Sequence, residues 1–179
     1  DVGGVRLNIR EPHSVRNVFR EIMAEAEQHI PGARISGVTV EPMVERPHAR
    51  EIMVGIARDP IFGPVISFGA GGTAVDIFAD SQVALPPLNE YLSKELINST
   101  RAARILKRFR NLPEANIDSL VEVLKRVSEM ACELPEIQEL DINPLLVDEE
   151  DAIAVDARIV VAPPKWQGQA GLFPGRQFR

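Results

Sequence analysis

The amino-acid sequence predicts an α+β protein whose mixed, mostly antiparallel sheet is packed against helices. Strand-like runs come first along the chain, helical patterns follow, and two further strand-like runs come last, unlike the regular alternation of βαβ proteins. The connectors between neighbouring strand candidates, such as "ERPHA" (45–49) and "PIF" (60–62), are short, which favours antiparallel neighbours. With 179 residues, the chain is long enough for one sizeable core.

The first half of the chain contains one clear helix signal among strand-like runs. Pro12 and Ser14 favour the start of a helix, apolar residues then recur every three or four positions to Ile30, and Pro31 with Gly32 ends the pattern. A short strand is predicted before this helix at 5–9, and four strand candidates follow it. They are 34–44 ("RISGVTVEPMV"), 50–59 ("REIMVGIARD"), 63–72 ("GPVISFGAGG") and 74–87 ("AVDIFADSQVALPP").

Helical patterns dominate the second half until the chain returns to strands. We predict two or three helices over about 88–98, 99–109 and 115–134, the last with an apolar stripe at Ile117, Leu120, Val121, Leu124 and Val127. Two buried strands are predicted within 139–161, where the acidic connector 148–151 turns one strand back along the other. Residues 163–179 are rich in Pro and Gly, which predicts a tail or linker.

Charge and cysteine content argue against several classes of function. A net charge of −6 argues against a nucleic-acid-binding surface, which needs a basic patch, and no apolar run approaches the roughly 20 residues of a membrane span. The basic stretch 101–110 carries apolar residues at helical spacing, which favours a solvated helix face. The single cysteine, Cys132, fits a reducing compartment, so we expect a cytoplasmic protein without nucleic-acid or membrane partners.

Four polar side chains interrupt the two closing strands. Asp141 and Asn143 are two residues apart and share a face of the first strand, and Asp156 and Arg158 share a face of the second. If the strands pair, a carboxylate and an amide oxygen meet, and such hard oxygen ligands suit Mg²⁺ beside a phosphate held by Arg158. A salt bridge from Arg158 to Asp156 or Asp141 at a sheet edge explains the same residues about equally well.

A glycine-rich stretch lies at the end of a strand candidate. Segment 67–77 ("SFGAGGTAVDI") has three glycines in four positions, and glycine lets backbone N–H groups approach an anion. Its spacing matches neither the dinucleotide-binding motif nor the P-loop, so an ordinary hairpin turn is about as good an interpretation. The prolines between Glu41 and Glu51 indicate, from the residues alone, only a hairpin with a stiff connector.

Taken in order, five segments resemble one known family. They are "DVGGVRLNI" (1–9), "VEPMV" (40–44), "REIMVGIARDPIFGPVISFGAGG" (50–72), "ALPPL" (84–88) and "ELDINPLLVDEEDAIAVDARI" (139–159). Over residues 1–162 the chain resembles the ATP-grasp domain of nucleoside-diphosphate-forming acyl-CoA synthetases, the domain type also found in the succinyl-CoA synthetase beta subunit. The subgroup it looks most like comprises bacterial single-chain acetate–CoA ligase-like proteins, many with an added GNAT acetyltransferase domain that acts in protein lysine acetylation.

The resemblance implies a metal and phosphate centre in the closing strand pair. The asparagine of the family's "INP" motif and the aspartate of its "DAR" or "DAK" motif bind the nucleotide's Mg²⁺, and here these are Asn143 and Asp156. Asp141 stands where the family has an acid that faces a phosphohistidine intermediate. Arg158 stands where a Lys or Arg neighbours the phosphates, so Asp141 and Arg158 are the candidate catalytic residues.

The resemblance also implies nucleotide-binding residues elsewhere in the chain. The "VEPMV" segment matches the hinge whose backbone holds adenine, which makes Glu41, Met43 and Val44 candidates. Glu51 matches an acid suited to a ribose contact. In the glycine-rich stretch, "GG" at 71–72, that is Gly71 and Gly72, matches the glycine loop that faces the reaction centre.

The implied enzyme is an acid–thiol ligase that forms acyl-CoA, ADP and phosphate from an acid, CoA and ATP through a phosphohistidine. The family's phosphate-binding lysine before "DVGGV", its CoA-binding alpha-like domains and its phosphorylatable histidine have no match in these 179 residues. We therefore expect 1–162 to be the larger, C-terminal part of an ATP-grasp fold from a longer parent chain, inactive alone. Mg²⁺ is the expected cofactor, ATP or ADP the substrate, and the alpha-like domains, with a possible GNAT domain, the partners.

Two other functions stay open at this level. The domain is alternatively an acyl-CoA- or nucleotide-sensing regulatory part of a protein lysine acetyltransferase, or a non-catalytic interaction module that kept the fold. Intact Asn143 and Asp156 favour retained metal binding over the interaction module, although resemblance of fold alone does not decide function.

Overall fold

The computed structural model describes residues 3–72, 80–108 and 110–163, and the chain divides into two compact units. The first unit is Asp1–Glu45 and the second is Arg46–Arg179. The predicted tail from 164 onward, part of the strand candidate 74–87 and Phe109 lie outside the described residues.

Helix α1 (Pro12–His29) is the regular element described in the first unit, and it confirms the predicted helix. Pro12 occupies the first turn, where a backbone N–H has no partner in any helix, so its missing donor is tolerated. Arg6 in the preceding segment makes an ion pair with Glu25 of the helix, with 2.6 Å between Nη2 and Oε1. The helix therefore organises the chain that leads into it.

The strands predicted at 5–9 and 34–44 are wrong, because neither segment pairs with another strand. A strand needs a neighbouring strand to accept and donate its backbone hydrogen bonds. The described part of the first unit contains no strand that could supply them. Apolar and β-branched residues are therefore not sufficient for a strand in the absence of a partner.

A six-stranded sheet forms the frame of the second unit. Its strands are β1 (Arg50–Asp59), β2 (Gly63–Ala70), β3 (Ser81–Ala84), β4 (Ile137–Val147), β5 (Ala152–Ala154) and β6 (Ala157–Val161). The order is β3-β2-β1-β4-β5, β6 also pairs with β4, and all of these pairings are antiparallel. Strand β4, from the C-terminal part of the chain, thus lies inside the sheet between β1 and the strands β5 and β6.

Three helices lie between β3 and β4 in the chain: α2 (Glu90–Asn98), α3 (Ala102–Leu106) and α4 (Ile117–Glu133). Each of the ranges given for the two or three predicted helices contains one of them, with shorter bounds. Asn89 and Asn116 cap α2 and α4 with side-chain oxygens that accept backbone N–H groups. Asp80 accepts the backbone N–H groups of Arg101 and Ala102, which fixes where the short α3 begins.

The core lies between these helices and one face of the sheet. Alternate residues of the central strands point to this face and are fully buried, namely Ile52, Val54, Ile66 and Phe68. The stripe predicted on the last helix faces them, with Leu120, Val121, Leu124 and Val127 buried and Ile117 packed at the margin. In the described ranges, no helix is long and apolar enough to cross a membrane.

The second of the two predicted closing strands is divided into β5 and β6, and Asn143 and Pro144 lie opposite the division. β4 pairs with β6 up to Ile142 and with β5 from Leu145 onward. Pro144 has no N–H to donate, so a regular ladder cannot run through it. Leu140 is buried before the break and Leu145 and Val147 are buried after it, and the pairing of β4 with β1 shifts register between Ile52 and Val54. The polar residues of the "INP" motif therefore lie at an interruption of the sheet and not within a regular strand.

Candidate functional site

The break in β4 brings together three of the residues singled out in the sequence. The side chain of Asn143 accepts a hydrogen bond from the backbone N–H of Gly72, with 2.8 Å between Oδ1 and N. The backbone N–H of Asn143 donates to the backbone carbonyl of Asp156 at 3.2 Å. Asn143, Gly72 and Asp156 thus form one cluster, which we call the Asn143 cluster.

Two carboxylates on the strands and turn at this break, those of Asp156 and Asp141, have no protein partner among the described residues. Asp156 and Asp141 are both exposed, and neither side chain makes a hydrogen bond or ion pair with another described residue. A carboxylate in a folded protein is commonly satisfied by nearby donors or by water. Both groups are therefore available to a ligand without first breaking a contact within the protein.

Asp141 and Arg158 lie directly opposite each other on β4 and β6. Directly opposite residues of an antiparallel pair project to the same face of the sheet. The ion pair of Arg158 is nevertheless with Glu139, at 3.7 Å between Nη1 and Oε2, and both side chains are well exposed, at 73% and 58%. The alternative salt bridges to Asp156 or Asp141 are therefore not present. An exposed pair at this distance contributes little, so the guanidinium is available to a phosphate.

Gly71 and Gly72 follow β2 and pack against the start of β1. The N–H of Gly71 donates to the backbone carbonyl of Glu51 at 2.8 Å. A Cβ on Gly71 would overlap the backbone of Ile52, and a Cβ on Gly72, whose φ is +65°, would overlap the Glu51 carboxylate. Glycine is thus required at 71 by the close approach of the Ile52 backbone and at 72 by the positive φ, since the exposed Glu51 side chain could move aside. In this structure both N–H groups have protein acceptors, the backbone carbonyl of Glu51 and the side chain of Asn143.

Glu51 lies at the edge of the same cluster. Its carboxylate rests against Gly72, at the position where a side chain on that glycine would stand. Glu51 is exposed, so its oxygens remain open on the side away from the glycine. The second unit therefore collects Glu51, Gly72, Asn143 and Asp156 in one place, although they are dispersed over more than half of the sequence.

Glu41, Met43 and Val44 belong to the first unit, just before its end at Glu45. Glu41 and Met43 are exposed and Val44 is half-buried. The segment lies outside any strand, so its backbone groups are not used in sheet pairing. These residues therefore stand in a different unit from the Asn143 cluster.

The Asn143 cluster fits a magnesium ion that also binds phosphate and water. Among the residues that the structure describes, no group of three or more His, Cys, Asp or Glu side chains is placed to hold a metal ion. Asn143 and Asp156 offer one amide and one carboxylate oxygen, which are the hard ligands that Mg²⁺ prefers. Mg²⁺ commonly keeps several waters and uses one or two protein ligands plus substrate phosphates. The donor set therefore suits an ion that arrives with a nucleotide.

The sequence analysis did not single out Arg46, which binds the turn between β4 and β5. Its Nη1 lies 2.8 Å from Oδ2 of the buried Asp148. Burial opposes ionisation of Asp148, but the N–H groups of Asp151 and Glu150 and the Arg46 guanidinium outweigh it, and the pKa of Asp148 lies below its usual range. The opposite charges of Arg46 and segment 148–151 are visible in the sequence, but no local pattern pairs them.

Comparison with known proteins places this architecture in a family. Residues 1–161 match the family model of an ATP-grasp domain. The chain belongs to the ATP-grasp family. The predicted ATP-grasp fold, with an antiparallel sheet and packed helices in an α+β arrangement, is thereby confirmed.

Individual relatives indicate which kind of ATP-grasp protein the chain is similar to. The ATP-grasp domain is 41% identical over 161 residues to the ADP-forming acetate–CoA ligase I subunit beta of Pyrococcus furiosus, and the match covers 90% of this chain and 68% of that subunit. It is 39% identical over 161 residues to the ADP-forming acetate–CoA ligase I of Archaeoglobus fulgidus, covering 90% of this chain but 23% of that protein.

A solved structure shows the same architecture. It is the dinucleotide forming acetyl-coenzyme A synthetase 1 of Ca. Korarchaeum cryptofilum, in complex with coenzyme A and Mg-AMPPCP. The two chains align with a TM-score of 0.73 and 30% identity, over 90% of this chain and 69% of that one. Together with the sequence relatives, this identifies the chain as the ATP-grasp part of an ADP-forming acyl-CoA synthetase, a ligase, in its beta-subunit region.

Proposed function

We propose that the complete protein makes acyl-CoA, ADP and phosphate from an acid, CoA and ATP through a phosphohistidine, and that this ATP-grasp domain binds its Mg²⁺–nucleotide. The observation that carries the proposal is the Asn143 cluster. There the Asn143 amide oxygen accepts the N–H of Gly72, and the Asn143 backbone N–H donates to the backbone carbonyl of Asp156, whose carboxylate is unpaired among the described residues. The Korarchaeum synthetase supports it, since that protein is in complex with Mg-AMPPCP and has its phosphohistidine segment pointing towards the nucleotide binding site.

In this proposal Asn143 and Asp156 hold the Mg²⁺ through their side-chain oxygens. When bound, the ion neutralises charge on the phosphate oxygens. The hydrogen bond from Gly72 orients the Asn143 amide, since it restricts where Oδ1 points and leaves that oxygen a second lone pair for the metal. The Asp156 carboxylate needs no rearrangement, because it has no described partner to leave.

Asp141 and Arg158 are assigned to the phosphoryl group. Arg158 binds phosphate oxygens through its planar fork of N–H donors. Asp141 accepts a hydrogen bond from the imidazole of the incoming histidine and so fixes the tautomer and the orientation of that ring. Because the two residues are opposite each other on neighbouring strands, a phosphate on Arg158 lies beside a histidine held by Asp141.

The remaining candidates are assigned to the nucleoside. Glu41, Met43 and Val44 hold adenine, because their segment offers backbone donors and acceptors that no strand uses. Glu51 accepts the ribose hydroxyls. Its carboxylate lies against Gly72, and Gly72 in turn donates a hydrogen bond to the proposed metal ligand Asn143.

Replacing Asp156 with alanine in the complete enzyme tests the metal assignment. We expect ATP-dependent acyl-CoA formation to fall by about 100-fold or more, since a direct metal ligand is lost. The urea unfolding midpoint should not change, because the Asp156 side chain is exposed and unpaired among the described residues. Asp118→Ala, which removes an 88%-exposed carboxylate from α4, is the matched control and should retain full turnover. Near-normal turnover in a folded Asp156→Ala enzyme rejects the assignment.

We further infer, from the sequence resemblance, a cytoplasmic parent protein with CoA-binding alpha-like domains and a linked GNAT domain that acts in protein lysine acetylation. The single cysteine supports a reducing compartment. The reading frame around residues 1–179 tests the architecture. A GNAT domain beside the alpha-like domains supports the inference, and a parent chain without a GNAT domain overturns that part of it.

A further inference from the structure

We propose that Arg46 is a positioning residue for nucleotide binding: it fixes the start of the second unit, which directly follows the adenine-holding segment in the chain, to the turn of the hairpin that carries the metal ligands. This inference rests on the proposed function, because it takes the assignments of segment 41–44 and of the Asn143 cluster as its starting point. Arg46 does not itself touch the nucleotide in this scheme. It acts through the chain that it anchors.

The guanidinium of Arg46 is held by three carboxylates of one turn. Nη1 lies 2.8 Å from Asp148 Oδ2 and 2.9 Å from Glu150 Oε2, and Nη2 lies 3.0 Å from Asp151 Oδ1. The side chain of Arg46 is 21% exposed and that of Asp148 is 7% exposed. A planar fork that binds several oxygens at once fixes both the position and the orientation of the arginine.

The turn that receives Arg46 is itself anchored. Asp148 Oδ1 accepts the backbone N–H groups of Glu150 at 2.9 Å and Asp151 at 3.1 Å, which closes the turn. Asn116, the cap of α4, donates its backbone N–H to the carbonyl of Asp148 and its Nδ2 to the carbonyl of Glu150. Arg46 is thus fixed to an element that is joined to both the sheet and α4.

A second contact follows two residues later in the chain. His48 Nδ1 lies 2.8 Å from Glu149 Oε1, again on the turn between β4 and β5. Its backbone carbonyl also accepts a hydrogen bond from Arg50, at 2.7 Å. The segment between residue 45 and β1 is therefore held by side-chain and backbone contacts at Arg46, His48 and Arg50.

Arg46 follows the adenine-holding segment closely in the sequence, and the turn that it binds belongs to the hairpin that carries the proposed metal ligands. Arg46 is the first residue of the second unit, two positions after Val44. On the other side, the turn connects β4, which contains Asn143, to β5, which leads directly to Asp156. Displacing Arg46 therefore releases the chain that directly follows the adenine-holding segment, while it leaves Asn143 and Asp156 in their sheet positions.

Removing a positioning residue changes the KM for ATP, whereas removing an ion pair that only stabilises the fold does not. In the complete enzyme, we expect Arg46→Ala to raise the KM for ATP by about tenfold while kcat stays within about threefold, since small misplacements of a binding group cost this much or more. Arg46→Lys keeps the charge but loses the fork, and should raise the KM by a smaller factor. Lys94→Ala removes an ion pair to Glu90 on the helical side of the unit and should leave the KM unchanged.

The outcomes separate this inference from the proposed function. A KM for ATP that rises in the order Arg46→Lys, then Arg46→Ala, with KM for the acid and for CoA unchanged, supports the inference. If Arg46→Ala does not fold, the folded Arg46→Lys variant decides, and an unchanged KM in it overturns the positioning role. If Asp156→Ala abolishes turnover while neither Arg46 variant alters the KM for ATP, the positioning role is wrong and the proposed function stands. If Asp156→Ala retains turnover, the metal assignment of Asp156 is wrong, and the KM for ATP of the Arg46 variants still decides the positioning role.

Discussion

Asn143→Ala changes stability and turnover by very different amounts, and the structure predicts both. The substitution removes the Oδ1 that accepts the Gly72 N–H at 2.8 Å, in a partly buried position. Loss of a neutral hydrogen bond whose donor stays partly buried costs about 1 kcal/mol of unfolding free energy. For a chain of this size, that lowers Tm by about 2–4 °C.

The effect on turnover should be much larger than this loss of stability. If Asn143 is a direct ligand of the nucleotide's Mg²⁺, acyl-CoA formation in the complete enzyme falls by about 100-fold or more, equivalent to about 3 kcal/mol of transition-state stabilisation. The assay is ATP-dependent acyl-CoA formation at saturating ATP, measured with an Mg²⁺ titration. Excess Mg²⁺ should restore part of the activity, because the lost ligand weakens binding of the ion.

Two further variants separate the hydrogen bond from the metal. Asn89→Ala removes the same kind of contact, an amide oxygen that accepts a backbone N–H at 2.9 Å, from the cap of α2. It should cost about 1 kcal/mol and leave turnover intact. Asn143→Asp keeps an oxygen acceptor for Gly72 and should restore stability and part of the turnover. If Asn143→Ala loses no more turnover than Asn89→Ala, the metal assignment of Asn143 is refuted.

Three other measurements test the remaining assignments. Asp141→Asn should slow phosphoenzyme formation from ATP in a ³²P-labelling time course, while Mg²⁺–nucleotide affinity stays within about threefold; collapse of affinity with an unchanged labelling rate would place Asp141 in the metal site instead. The 179-residue chain alone should bind ADP or ATP weakly in calorimetry with Mg²⁺, because it spans only 68% of the P. furiosus beta subunit, and a submicromolar Kd would contradict this. The pKa of Asp148 is depressed in the folded state, so its contribution to stability is present above the unfolded pKa of about 3.9 and is lost as the pH falls through the folded value. The difference in urea midpoint between wild type and Asp148→Asn should therefore shrink below about pH 4, and a difference that is constant from pH 6 to pH 3 would count against it.

Local patterns were enough to predict most of the second unit. The segments 50–59 and 63–72 are bounded by charged, Pro and Gly residues, and the structure has β1 at Arg50–Asp59 and β2 at Gly63–Ala70. The last helix was predicted from an apolar stripe whose residues are the buried face of α4. These features follow from periodicity and turn residues, which are properties of neighbouring positions in the chain.

Predictions failed where a segment needed a distant partner. Segments 5–9 and 34–44 have the composition of strands, but no described strand of the first unit pairs with them. The second closing strand was predicted as one piece, yet it is divided opposite Pro144, because the missing N–H of that proline matters only once β4 and its neighbours are paired.

The sequence by itself determined the family, the helices and the central hairpin, since motifs and periodicity are written in consecutive residues. It also named Asn143 and Asp156 as neighbours, because a short turn joins their segments. Only the tertiary structure decided that Gly72 donates to Asn143 and that Arg46 is bound by Asp148, contacts that join residues 71 and 102 positions apart. Such contacts depend on how β1, β2 and β4 are ordered in the sheet, and that order is set by burying one shared core, which no local stretch of sequence specifies.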